Sequence, residues 1–276
     1  MKTFTLVGCL LLLLCTETFA QGWRTLVNGL DYGEFALTSD SENKKNTIFV
    51  VRLDPELWEL VLIDGKKEKV SNNRSVKAWC RANRLVGCVN AGMYGADYAT
   101  HIGHMRSVAG INNDNINRYQ SIAAFGANRA DQAPPFHIFD LDAGDTTLAE
   151  IFKDYNNVLQ NLRLIKRSRE NRWGPQEKVW SEAALGEDSK GNVLLLFCPM
   201  PLSMHDFIEH ALALPIDLVA AQHLEGGQEA QFFLEVDDFY LELSGTFVAT
   251  APAKKDSELG WPVPNVLGFR PRVAKQ

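Results

Sequence analysis

The stretch "VAAQHLEGGQEAQFFLEV" constrains the fold of this chain more than any other. Two apolar runs are broken by Gly226 and Gly227, with His223 and Glu225 before the break and Glu229 after it. Apolar runs of this length bounded by glycine read as strands. A glycine pair lets the backbone turn sharply and approach a ligand closely, and successive N–H groups in such a turn can form an anion nest. Two readings fit: a Gly-Gly hairpin with solvated acids, or two neighbouring carboxylates that divide acid and base roles because each raises the other's pKa. The second suits glycosyl transfer to water, where one carboxyl protonates the leaving oxygen and another activates the attacker.

Other runs extend the pattern. "NTIFVVRL", "WELVLID", "SIAAFG" and "FHIFDL" read as strands, and "VWSEAALG" and "NVLLLFC" bracket a hairpin turn at Lys190-Gly191-Asn192. Helix starts stand at Ser75, at Thr147 with Glu150 in capping-box spacing, and at Ser203 with Asp206. After Thr147, the residues Leu148, Ile151, Phe152, Tyr155 and Leu159 fall on one helical face, which predicts a helix through "LAEIFKDYNNVLQ". Strands and helices do not alternate regularly. The expected class is therefore α+β: mixed, largely antiparallel sheets with packed helices in a single domain.

Lys2, the apolar run "FTLVGCLLLLLC" and small residues ending at Ala20 form an export signal, too short for a comfortable transmembrane span. It divides the chain into a signal peptide, 1–20, and one domain, 21–276, secreted or periplasmic. "LVGC" at Cys9 offers a lipoprotein signal as the competing reading. Export gives Cys80 and Cys88 two readings, a small disulfide-closed loop or buried thiols. A net charge of -6 does not favour nonspecific nucleic-acid binding. No Cys/His spacing resembles a metal site, and no cofactor is expected.

Two more stretches carry chemistry. In "VNAGMYGADYATHIGHM" a strand ends at Asn90, and Gly92 and Gly95 loosen the backbone beside Tyr94, Tyr98, His101 and His104. Asn and His can bond sugar hydroxyls or phosphoryl oxygens, and Tyr94 could stack on a sugar ring; the alternative is a surface loop whose glycines serve only turns. "NLRLIKRSRENRWG" is a basic run in an acidic chain, and charge runs are commonly solvated faces. If "LRLIKR" is a strand, Arg163 and Arg167 share one face and could hold phosphate.

The order "VNAGMY", "WSEAALGEDSKGNVLLLF", "SMHDFIEHAL", "LVAAQHLEGGQEAQFFL", "WPVPNVLGFRPR" resembles the phosphodiester glycosidase family, over about Phe35 to Arg272. The resemblance implies an α+β domain with its site at the glycine turn and hydrolysis of a sugar-1-phosphodiester. It also brings in Glu182, because "WSEAALG" matches a family strand leading to the turn. The family reads Leu-Asp-Gly-Gly-Gly-Ser where this chain has Leu224, Glu225, Gly226, Gly227, Gln228 and Glu229. The acid is longer, the third glycine is lost and a second acid replaces serine, which marks a divergent branch. The expected site has Glu225 and Glu229 as the catalytic pair. Asn90, Gly92, Tyr94, Arg163, Arg167, Glu182, His223, Gly226 and Gly227 would contact a carbohydrate or sugar-phosphate ligand. The alternative is a noncatalytic glycan- or envelope-binding protein on the same scaffold.

Overall fold

The apolar runs of this chain are two-sided. In "TIFVVRL", Phe49, Val51 and Leu53 enter one core cluster while Ile48 and Val50 enter another. In "VLLLFC", Val193, Leu195 and Phe197 join the first cluster and Leu194, Leu196 and Cys198 the second. Period-2 alternation with both faces apolar means a strand covered on both sides.

A computed structural model describes residues 22–37, 46–68, 74–129, 131–246 and 261–273. The signal-peptide expectation and its Cys9 alternative lie outside these residues. Among them are three sheets. The largest, of eight strands, runs β1 (Trp23–Val27), β2 (Leu30–Ala36), β3 (Thr47–Leu53), β14 (Val193–Leu202), β13 (Trp180–Asp188), β15 (Leu218–Gly226), β11 (Arg163–Lys166), β12 (Glu170–Asn171). The second runs β7 (Gly110–Asn113), β6 (Met105–Ser107), β10 (Tyr155–Asn161), β8 (Ser121–Ala127), β9 (Phe136–Asp140). The third runs β17 (Phe239–Ser244), β16 (Gln231–Val236), β5 (Gly87–Asn90), β18 (Asn265–Pro271), β4 (Trp58–Asp64). All these pairings are antiparallel.

One core joins the three sheets: Phe49, Leu195 and Leu224 from the first, Phe125 and Leu159 from the second, Trp58, Val89 and Phe269 from the third. Short helices cover the outer faces. α4 (Met204–Ala213) sets Phe207, Ile208 and Ala211 against the first sheet. α2 (Val76–Ala82) sets Trp79 and Cys80 against the third. α3 (Leu148–Asp154) sets Ile151 against the second. A fourth, α1 (Gly65–Glu68), is a single turn.

This corrects the expected α+β class with packed helices. The described fold is β-rich, and its helices are short covers on antiparallel sheets. The largest misreading lies after Thr147. The capping box forms as the spacing predicts, with Thr147 and Glu150 bonding reciprocally, but the helix stops at Asp154 and Tyr155–Asn161 becomes β10. Tyr155 and Val158 pack under α3, whereas Leu159 points into the central core. The residues of the expected helical stripe thus end in two different clusters, because pairing with β8 and β6 overrides local propensity.

The other helix starts stand where the caps place them. Ser75 accepts a hydrogen bond from the Ala78 N–H, and Ser203 from that of Asp206. Cys80 on α2 and Cys88 on β5 are free, buried thiols of one core cluster; burial, with the Cys80 thiol alongside, holds the Cys88 thiol well above its usual range.

Candidate active site

β15 carries the acids to the site. Its pairing with β13 slips twice, and the slip nearer the site sets His223 opposite Ala184 and Glu225 opposite Ala183, leaving Leu224 as the extra residue. Such bulges re-aim the side chains that follow. The strand ends at Gly226, and Gly227 opens a 3₁₀ turn, Gly227–Glu229, with φ +68°. A left-handed residue at this position favours glycine. Gly226 has a different constraint, since a Cβ there would stand 2.3 Å from Cδ1 of Trp180.

Glu225 and Glu229 line one open cleft of about 420 Å³ together with Met93, Tyr94, Gly95, Ala96, Tyr98 and Ile102. The floor of the cleft is thus the turn after β15, and its wall is the loop after β5. Burial pushes the Glu225 carboxyl up to about 7. The carboxylates of Glu229 and Glu182 add to this, and His223 and the Gly226 N–H, 3.2 Å from Oε1, oppose it. Burial also raises Glu229, whose Oε2 is buried without a hydrogen-bond partner among the described residues. The Tyr94 phenol is pushed up to about 12 by burial and by the Glu229 and Glu225 carboxylates.

Beside Glu225 lies a buried pair. His223 Nδ1–H donates to Glu182 Oε1 at 2.5 Å, and both side chains are almost fully buried. Burial disfavours the imidazolium, but the Glu182 carboxylate outweighs it and holds His223 above its usual value. The second oxygen of Glu182 accepts from the Trp180 indole at 2.9 Å. Trp180 therefore ties the pair to the glycine turn, because the same ring closes over Gly226.

Asn90 sits at the end of β5 and buttresses the turn: its Oδ1 accepts the Gln231 N–H at 3.1 Å, just after Glu229. Its Nδ2 is buried and unpaired among the described residues. Gly92 stands where a Cβ would fall 2.4 Å from Asn161 Oδ1, so the loop that carries Tyr94 crosses β10 at close range.

The two arginines are engaged elsewhere. Arg163 donates to Asp142 Oδ1 at 2.6 Å and Asp140 Oδ1 at 3.2 Å. Arg167 donates to Glu187 Oε2 at 2.6 Å, beside His137. Neither lines the cleft. The sharing of one strand face by residues at this spacing gave no sign of these partners, which come from β9, β13 and the loop at Asp142. Likewise His101 and His104 serve the interior. His101 Nε2–H donates to the Gln160 carbonyl at 2.9 Å, and burial lowers its pKa to about 4. His104 stacks on Phe152 with ring centroids 4.7 Å apart.

Sequence reasoning missed Trp180, Tyr119 and Asn161. Tyr119 is raised by burial and by the Glu225 carboxylate, and so belongs to the same neighbourhood. The run "KVWSEAALG" held a signal for Trp180: an aromatic residue two positions before Glu182 projects from the same strand face.

No protein-family model matches the chain, and no curated protein matches it in sequence. Solved structures do share its fold. The catalytic domain of zebrafish N-acetylglucosamine-1-phosphodiester alpha-N-acetylglucosaminidase, auto-inhibited by its pro-peptide, superposes with a TM-score of 0.57 at 11% identity, over 88% of this chain and 89% of that one. A hypothetical protein from Synechocystis superposes with a TM-score of 0.57 at 12% identity, over 92% of this chain and 64% of that one. At these identities the likeness is one of fold, distant, and it assigns no family.

Proposed function

We propose that the chain is an exported hydrolase of a glycosyl phosphodiester or related glycoside, with Glu225 as general acid and Glu229 as its carboxylate partner. The observation that carries this reading is the pairing in one cleft of a carboxyl held near neutrality, Glu225, with a second acid four residues on. A group poised near the working pH is what proton transfer in both directions requires, and perturbed carboxyls in a cleft mark functional sites. The fold shared with a glycosidase catalytic domain supports the same class.

In this mechanism Glu225 gives its proton to the leaving oxygen as the bond to the anomeric carbon breaks. Glu229 takes the developing positive charge or the proton of water. His223, fixed by Glu182, which Trp180 bonds in turn, stands behind Glu225, and Asn90 holds the turn in place. Residues 1–20 are removed on export, so the mature chain starts at Gln21, which N-terminal sequencing of exported protein checks. A lipid on Cys9 would replace the soluble form with an anchored one.

A second reading, glycan capture without cleavage, draws on the exposed rings at the rim: Tyr98 is 53% and Trp261 40% exposed. Aromatic faces at a rim bind sugar rings whether or not chemistry follows. A screen of sugar-1-phosphate diesters and aryl glycosides against wild type and Glu225→Gln separates the two. Turnover that falls by about 10² to 10⁴ in the variant, with binding kept, is the hydrolase outcome. Binding without turnover in either protein is the capture outcome.

A further inference from the structure

We infer that the natural substrate is an uncharged glycoside whose leaving group is an alcohol oxygen, and not an anionic phosphodiester; the inference rests on the assignment of Glu225 as general acid. Three observations lead to it.

The first is charge. The titratable side chains of the cleft are Glu225, Glu229, Tyr94 and Tyr98, and among its described lining residues there is no lysine or arginine. The arginines best placed in sequence to hold a phosphate are bound to Asp140, Asp142 and Glu187. The remaining bases nearby lie outside the cleft lining. Lys66 Nζ bonds Thr100 Oγ1 at 3.3 Å. Arg118, Arg163 and Arg172 line a separate groove with Tyr119 and Trp173, where Arg163 is paired with Asp140 and Asp142 and Arg172 with Glu170 at 2.8 Å. The His223 imidazolium is matched by Glu182. An anion entering the cleft would meet two carboxyls and no lysine or arginine among its described lining residues, and like charges set together are strongly selected against.

The second is the basicity of the leaving group. A phosphate monoester is a weak base, with a second pKa of about 6, and departs without a proton. An alkoxide is close to hydroxide, the conjugate base of water at about 15.7, and cannot depart unprotonated at neutral pH. A buried carboxyl that still carries its proton near neutrality is what the second case needs. The bond from anomeric carbon to oxygen breaks with its electron pair going to oxygen. That oxygen receives the Glu225 proton and leaves as the alcohol. Water adds to the anomeric carbon and returns a proton to the carboxylates, so no other reactant is consumed.

The third is the wall. Tyr94 and Tyr98, with ring centroids 5.5 Å apart, and Ile102 give the cleft apolar surface beside the acids. That suits the CH face of a neutral pyranose.

The test pairs substrates with the same glycosyl group, an aryl or alkyl glycoside against the sugar-1-phosphate diester, over several sugars. The expected result is cleavage of the glycosides with kcat/KM at least about a hundredfold above the diesters, with alkyl glycoside cleavage lowered by about 10² to 10⁴ in Glu225→Gln. Preferential cleavage of diesters overturns the inference while leaving the hydrolase assignment standing. In that case loss of diester activity in Arg118→Ala would show the anion held from the neighbouring groove. If neither class is cleaved, the hydrolase assignment fails. Calorimetry of Glu225→Gln with neutral oligosaccharides and with glucose-1-phosphate then decides: tighter binding of the neutral ligands keeps the cleft's preference, and tighter or equal binding of the phosphate, or binding of neither, overturns it.

Discussion

Glu182 Oε1 and His223 Nδ1 meet at 2.5 Å inside the largest sheet, one strand apart and 41 residues apart in sequence. The pair lies within the electrostatic reach of Glu225, so its charge state and that of the proposed acid are linked.

Breaking this pair should cost more than a surface ion pair would. Removing one partner of a buried pair costs about 3–5 kcal/mol. Glu182→Gln keeps the shape and removes the charge, and should fall near the lower bound. Because His223 is raised above its unfolded value of 6.5, the stability it draws from Glu182 is complete below that pH and is lost as pH rises through the folded value. The deficit of Glu182→Gln should therefore be larger at pH 6 than at pH 9, as read from urea unfolding at the two pH values.

Glu225→Gln should stabilise the protein at alkaline pH. A carboxyl raised from 4.5 to about 7 binds its proton more tightly folded than unfolded, so wild-type stability falls as pH rises through that window. The full difference is roughly 3 kcal/mol. The variant should match wild type near pH 4.5 and exceed it by on the order of 3 kcal/mol at pH 8. Equal stability at both pH values would mean that Glu225 is not held up by its surroundings.

Glu229→Gln should move the alkaline limb of activity to lower pH. The Glu229 carboxylate contributes to the rise of Glu225, so its removal lowers the partner. A displacement of about half to one pH unit is expected, together with reduced turnover. A pH–rate profile of the variant measures both.

Gly226→Ala should report the Trp180 contact. The added methyl would stand 2.3 Å from the indole, which must shift and release its bond to Glu182. Overpacking of this kind costs about 1–3 kcal/mol. The Trp180 fluorescence should change, and activity should drop with it. An unaltered emission spectrum with normal stability would show that the ring has room to spare.

The sequence made some of this legible and hid the rest for physical reasons. Caps are local: Ser75, Thr147 and Ser203 announce helices by groups three residues away, and all three form. How long a helix lasts is not local. Nothing in "KDYNNVLQ" states that β8 and β6 will take Tyr155 to Asn161 into a sheet. The same divide runs through the site. Glu225 and Glu229 could be read together because one turn joins them. Asn161 and Tyr119 reach the site only through strand order, whereas Trp180 stands two residues from Glu182. The tie between Arg163 and Asp142 spans 21 residues and was equally out of reach.

The place of β18 in the third sheet sets the order in which this protein can come into being. Asn265–Pro271 lies between β4 and β5, and Asn90, which steadies the glycine turn, is paired across it to Val266. A growing chain holds β4, β5 and both acids long before it holds the strand that joins them. Non-local closure of this kind is slow and late. The frame of the cleft is thus completed from a distant part of the chain, and any fragment ending before Asn265 should lack the strand that pairs with Asn90.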